Sequence, residues 1–176
     1  MALQRRVRIK TAPTEPPTAS TPPHGTVAIG SDHGGFALKE ALKGYLVELG
    51  FKPIDVGTNN SSEAVDYPDF AFSVASLVAE AKTWRGIMID GAGIGSCMAA
   101  NKVPGVRASL CYDLSSASNA REHNDANVLT LGGQLIGSNL ARQIVKTWLT
   151  TPFGGGRHAR RVNKIGEVEQ RFIKSR

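Results

Sequence analysis

The sequence is short of cysteine, of aromatic side chains and of long apolar runs, and each shortage closes off a class of function. Two cysteines, Cys97 and Cys111, stand in 176 residues. That is too few for a disulfide framework and points away from a small secreted scaffold. No apolar run approaches the roughly 18 residues of a membrane-spanning helix, so no membrane partner is expected. The first ten residues carry Arg5, Arg6, Arg8 and Lys10 without the apolar stretch that follows in a secretory signal. The expected location is therefore cytoplasmic. Aromatic residues make up 6% of the chain, and no nucleic-acid motif or aromatic platform is present, so no nucleic-acid partner is expected.

The charge balance, a formal +6, is uneven along the chain. Residues 1–24 contribute +3 and residues 157–176 contribute +5, which leaves the middle at −2. Basic ends on such a body fit an anionic small substrate and a solvated tail. Residues 11–25 hold five of the nine prolines amid Thr and Ser, a composition that cannot bury enough apolar surface to order itself. Residues 1–25 are expected as a disordered basic and proline-rich tail. Its plain reading is a segment with no role in the chemistry; the alternative is a peptide that docks to a larger assembly. Residues 26–176 are expected as one domain, long enough to bury a core.

Within that domain short apolar runs alternate with helical periodicity. Strands are predicted at 27–30, 52–56, 87–90, 106–111 and 127–131. Helices are predicted at 36–49, 68–81, from the turn after Asp90 to Lys102, and at 115–122, 136–149 and 159–172. Strand–helix alternation repeated five times implies a Rossmann-like three-layer α/β/α fold, with a five-stranded parallel sheet and a C-terminal helix.

The organising stretch is Ile87 to Lys102, an apolar strand that delivers Asp90 into a turn with glycines at 91, 93 and 95. Glycines let backbone N–H groups crowd a ligand, and a helix start adds partial positive charge. The spacing is G-x-G-x-G, with Ser96 where a dinucleotide fingerprint needs its last glycine, so a dinucleotide site is disfavoured. Asp32-His33 follows the first strand; the pair suits an acid/base group beside a donor to an anion, or a capping Asp beside a surface His. Asp66-Tyr67-Pro68 reads as a helix start. Arg157 and Arg161, four apart, share a helix face and suit a phosphate or a solvated basic face.

The separate pieces Gly30-Ser-Asp-His-Gly-Gly-Phe-Ala-Leu-Lys39, Asp55-Val-Gly-Thr58, Asp66-Tyr-Pro68, Gly91-Ala-Gly-Ile-Gly95, Ala99-Ala-Asn-Lys102, Gly105-Val-Arg107, Arg121-Glu-His-Asn-Asp125 and Gly155-Gly-Arg-His158 occur together and in this order. So arranged, the chain from 26 to 172 resembles ribose-5-phosphate isomerase type B and its relatives, the galactose-6-phosphate isomerase subunits. The resemblance implies metal-free, cofactor-free isomerisation of a sugar phosphate, with ribose 5-phosphate to ribulose 5-phosphate as the expected reaction, through a cis-enediolate. It implies Asp32 and His123 for ring opening, and His33, Arg157 and Arg161 for the phosphate. Tyr67 and Asn124 would contact the sugar, and the N–H groups of Gly91, Ala92, Gly93, Ile94 and Gly95 would hold the developing oxyanion. It also implies a homodimer or tetramer with the site at a subunit interface.

Two positions depart from the family pattern. The proton-transferring base in many members is a cysteine at the place of Asp90, and in another branch a glutamate at the place of Ser96. Asp90 is therefore the expected base, since a carboxylate at a strand end has similar reach. Gln134 stands where members often carry a phosphate-binding arginine, which weakens one charged contact and points to a different or less charged sugar. The alternative function is a non-catalytic or altered-substrate sugar-phosphate-binding protein on the same fold.

Overall fold

The computed structural model describes residues 25–173; the tail expected at 1–25 lies outside it apart from Gly25. The chain alternates β1 (Thr26–Ser31), α1 (Phe36–Glu48), β2 (Lys52–Asp55), α2 (Tyr67–Ala79), β3 (Arg85–Asp90) and α3 (Ile94–Ala100). It continues through β4 (Ala108–Leu110), α4 (Leu114–Glu122), β5 (Val128–Gly132), α5 (Ser138–Thr150) and α6 (Gly156–Phe172). All strand pairs are parallel, in the order β2-β1-β3-β5-β4. Most boundaries shift by one to three residues from expectation, and three of the shifts stand out. β4 is trimmed to Ala108–Leu110, α4 starts at Leu114 because Asp113 and Ser116 form a reciprocal capping box, and α6 starts three residues early at Gly156.

The central strands β1, β3 and β5 are buried along almost their whole length because both faces of a parallel sheet are covered by helices. Their side chains alternate between two cores. Val27, Ile29, Ile87, Ile89, Leu129 and Leu131 join Leu42, Leu46, Ile144 and Trp148 on one face. Ala28, Met88 and Val128 join Ala71, Val74 and Ala75 on the other. Fully burying each large side chain is worth about 1.5–3 kcal/mol, so these two layers fix the sheet.

Helices therefore leave the sheet on opposite faces after β1 and β3, which lie side by side. Such a switch point opens a crevice outside the carboxyl ends of the two strands. Register pairs Ser31 with Ile89, so the next residues along, Asp32 and Asp90, are neighbours at its mouth. The rim is held by a buried lysine: Lys39 donates to both oxygens of Asp55, at 3.0 and 2.8 Å, and to the Thr58 carbonyl at 2.8 Å. Thus Lys39, Asp55 and Thr58, which carried part of the resemblance, tie α1 to the loop after β2.

The start of α1 lies directly on the β3 backbone. A Cβ on Gly35 would overlap the Ile89 carbonyl, one residue before Asp90. Gly35→Ala is expected to cost about 1–3 kcal/mol through overpacking, read as a lower urea midpoint at unchanged m-value; an unchanged midpoint would show that this approach is relaxed in solution.

Candidate active site

The loop after β1 and the turn after β3 converge on the crevice. A Cβ built on Gly34 would lie 3.3 Å from Gln134 Nε2, 3.4 Å from Asp32 Oδ1 and 3.5 Å from the Gly91 amide nitrogen. Asp32 is nearly buried and its Oδ1 accepts from the Gly35 amide at 3.0 Å. It thus acts as a local turn cap while facing the crevice. Burial, joined by the charge of Asp90 and only partly offset by the Gly35 amide, pushes the Asp32 carboxyl above its usual range. His33 Nδ1 accepts from the Val65 amide at 3.2 Å. That bond uses Nδ1 as an acceptor and links the loop to the segment that leads into Tyr67. The Tyr67 ring lies against Gly95, where any side chain would overlap it.

Asp90 sits inside the glycine turn. Its Oδ1 accepts from the amides of Ala92, at 2.8 Å, and Gly93. Its Oδ2 accepts from the Ser96 amide at 3.0 Å and the Ser96 hydroxyl at 2.5 Å. Four donors fill the acceptor capacity of a carboxylate. The turn closes this tightly because Gly93 takes a positive φ of 77° where a Cβ would also strike Leu110 and the Leu131 backbone. Two of the five amides expected to hold an oxyanion are thereby taken by Asp90, while those of Ile94 and Gly95 donate to no acceptor among the described residues. Cys97 faces away, with its thiol on the Ala108 carbonyl at 3.5 Å.

His123, Asn124, Arg157 and Arg161 are elsewhere. α4 begins at the carboxyl end of the sheet, where Tyr112 donates to the Ala92 carbonyl at 2.6 Å, and runs back antiparallel to the strands. Its nine residues carry His123 about 14 Å toward the amino end. There Gly154 donates to the Glu122 carbonyl at 2.8 Å, bringing in the start of α6. The His123 ring stacks on His158, with centroids 4.2 Å apart and planes 4° apart. Partial desolvation, then His123, Arg157 and Arg161, lower the His158 pKa. Asn119 Nδ2 contacts His123 Nδ1 at 2.7 Å, and Asn124 donates to Asn119 Oδ1 at 3.1 Å. One chain therefore holds these two groups of residues at opposite ends of the sheet.

The sequence pattern did not single out Tyr112 or Ser96 as supports of the turn, nor His158 as the partner of His123. For Ser96 a signal existed: a hydroxyl six residues after a strand-end carboxylate, within reach once the turn is tight.

The raised Asp32 pKa gives a pH prediction. A carboxyl more easily protonated in the folded than the unfolded chain favours the fold fully below its unfolded pKa near 3.8, and that contribution is lost as pH rises through the higher folded value. The stability difference between Asp32→Asn and the unchanged protein should therefore shift in favour of the variant from pH 3.5 to pH 7, with His33 and Asp90 as the charged neighbours. Urea midpoints that keep a constant difference across this range would contradict the shift.

Comparisons with known proteins agree with this geometry. The model of the family described as Ribose/Galactose Isomerase matches residues 27–165. Ribose-5-phosphate isomerase B of Escherichia coli (strain K12) is 47% identical over 145 residues, covering 82% of this chain and 97% of that protein. The structure of Clostridium thermocellum ribose-5-phosphate isomerase B superposes with a TM-score of 0.82 at 50% identity, covering 84% of this chain and 99% of that one. Ribose-5-phosphate isomerase B from Mycoplasma genitalium, solved with bound ribulose-5-phosphate, superposes with a TM-score of 0.80 at 42% identity, covering 82% and 96%. With a five-stranded parallel sheet, a glycine turn at its switch point and these relatives across nearly their whole lengths, the chain belongs to the ribose/galactose isomerase family and is a sugar-phosphate isomerase.

Proposed function

We propose that the protein interconverts ribose 5-phosphate and ribulose 5-phosphate through a cis-enediolate, in a site that two copies of the chain complete. The observation that carries this reading is the crevice between β1 and β3. There two carboxylates, an amide-rich turn and Tyr67 meet, the equipment needed for proton transfer beside a developing oxyanion. The Mycoplasma genitalium relative holds ribulose-5-phosphate, and this chain shares the fold that holds it.

The roles follow the family resemblance. Asp32 and His123 serve ring opening, and Tyr67 lines the sugar. The open amides of the turn receive the enediolate oxygen, while Arg157, Arg161 and His33 take the phosphate and Asn124 supports the sugar. Because His123, Asn124, Arg157 and Arg161 stand at the amino end of their own sheet, they reach a crevice only on a second copy. A two-fold arrangement gives each dimer two such composite sites. Gln134, beside Gly34 and Gly91, offers an amide where a guanidinium would supply charge, so affinity for the phosphate should be modest and the choice of sugar broadened.

A proton NMR panel of pentose and hexose phosphates and their free sugars in deuterated water tests the reaction. Deuterium should enter C1 of ribulose 5-phosphate during turnover; binding without exchange at high protein concentration would favour a binding protein instead. Complementation tests the composite site. Asp32→Asn and His123→Ala should each be inactive alone, whereas an equimolar mixture, unfolded and refolded together, should recover about a quarter of full activity through heterodimers with one intact site. No recovery, with mixed dimers demonstrated, would place both residues in one chain's site.

A further inference from the structure

Asp90 and Asp32 are neighbours with opposite surroundings. Asp90 is held by four donors of its own turn, so taking a proton from a sugar carbon requires breaking one of them and loosening the turn. Asp32 accepts from the Gly35 amide, with the Gly34 amide facing it. At most two of its four acceptor positions are used, and Oδ2 accepts no side-chain or backbone hydrogen bond among the described residues. Paired carboxylates whose environments differ in this way divide their roles: the well-solvated or well-bonded one stays a fixed anion, and the sparsely bonded one moves protons.

We infer that Asp32, and not Asp90, is the group that carries the proton between C1 and C2, while Asp90 is a positioning residue that shapes the amide turn. The inference rests on the isomerase reading above and reassigns its central step. From the ketose side, the Asp32 carboxylate removes a C1 proton, and that C–H electron pair becomes the C1–C2 double bond. The C2 carbonyl oxygen takes the charge as the enediolate oxygen and receives the proton of O1. Asp32 then returns its proton to C2 as the C1–O1 bond becomes the aldehyde carbonyl. No oxidant or reductant is consumed, and Asp32 ends as a carboxylate, ready for ring closure. Burial and the adjacent Asp90 charge favour its protonated form more than usual, which suits a group that holds a proton between two carbons.

Ring opening and carbon-proton transfer both involve Asp32 in this scheme, so the test must separate them. Ribulose 5-phosphate does so, because its 5-oxygen carries the phosphate and the sugar enters in open form. Exchange of its C1 protons with deuterated water, followed by NMR, reports proton removal alone. Asp32→Asn keeps an oxygen for the Gly35 amide and should not lower the thermal midpoint at neutral pH, yet lose exchange by about a thousandfold. Asp32→Glu should keep measurable exchange with a displaced pH profile. Asp90→Asn, which puts an NH2 against the Ser96 donors, should lower the thermal midpoint along with any loss of rate.

Exchange within tenfold of the unchanged protein in Asp32→Asn, with ribose 5-phosphate turnover lost, would confine Asp32 to ring opening and overturn the inference. So would loss of exchange in Asp90→Asn at an unaltered thermal midpoint, since that would mark Asp90 as the reacting group. Absence of exchange in the unchanged protein would remove the isomerase reading itself, a different failure from either.

Discussion

The site depends on one buried carboxylate satisfied by its own turn. Asp90 ends β3 with a charge that is almost out of water, and a charge so placed is expensive unless fully hydrogen-bonded. The amides of Ala92, Gly93 and Ser96 and the Ser96 hydroxyl meet that demand. In doing so they bend the chain back, start α3 and set the positions of every amide that follows. The turn is then clamped from outside: the Asp90 carbonyl accepts from Gly133 at 2.7 Å, Tyr112 holds Ala92, and Tyr67 covers Gly95. Preorganised donors of this kind need no rearrangement when charge develops beside them.

The fold was legible in the sequence because its signals are local and repeated. Apolar runs such as Val27-Ala-Ile and Ile87-Met-Ile, separated by helical periodicity, permit little besides a doubly covered parallel sheet. The crevice was legible in part: Asp32, His33, Tyr67 and the 91–95 turn do come together. What the sequence hid was hydrogen-bond occupancy. Asp90 in a one-dimensional reading is a free acid at a strand end, and only the closed turn reveals that its acceptors are spent. Direction was hidden as well. His123 follows a helix that runs back down the sheet, so a residue that the resemblance pairs with Asp32 is remote from it within one chain. Gln134 was visible as a departure, but its place between Gly34 and Gly91 needed the β5 turn to be folded.

The two cores also explain why chemistry gathers where it does. The three central strands are committed to packing along their length, with Ile29, Ile87 and Leu129 on one face and Ala28, Met88 and Val128 on the other. Polar function is left to the ends. At the carboxyl end the strand-to-helix loops provide acids and amides; at the amino end the helix-to-strand corners gather His123, His158 and the arginines. Motif residues that look functional, such as Lys39 and Asp55, spend their charge on each other and brace the rim.

α6 buries none of its residues. Its ties are the His158 stack on His123 and the Glu169 carboxylate, which accepts from the Gly105 amide at 2.9 and 3.1 Å, while Ile165, Val168 and Phe172 stay exposed. Helical stability in proteins comes mostly from a packed face, so in an isolated chain this segment opens at far lower free energy than the sheet. Amide hydrogens of residues 157–172 would then exchange long before those of β3. An anion bound by Arg157 and Arg161 would register first as slowed exchange in the last helix, an ordering signal separate from any change in the crevice.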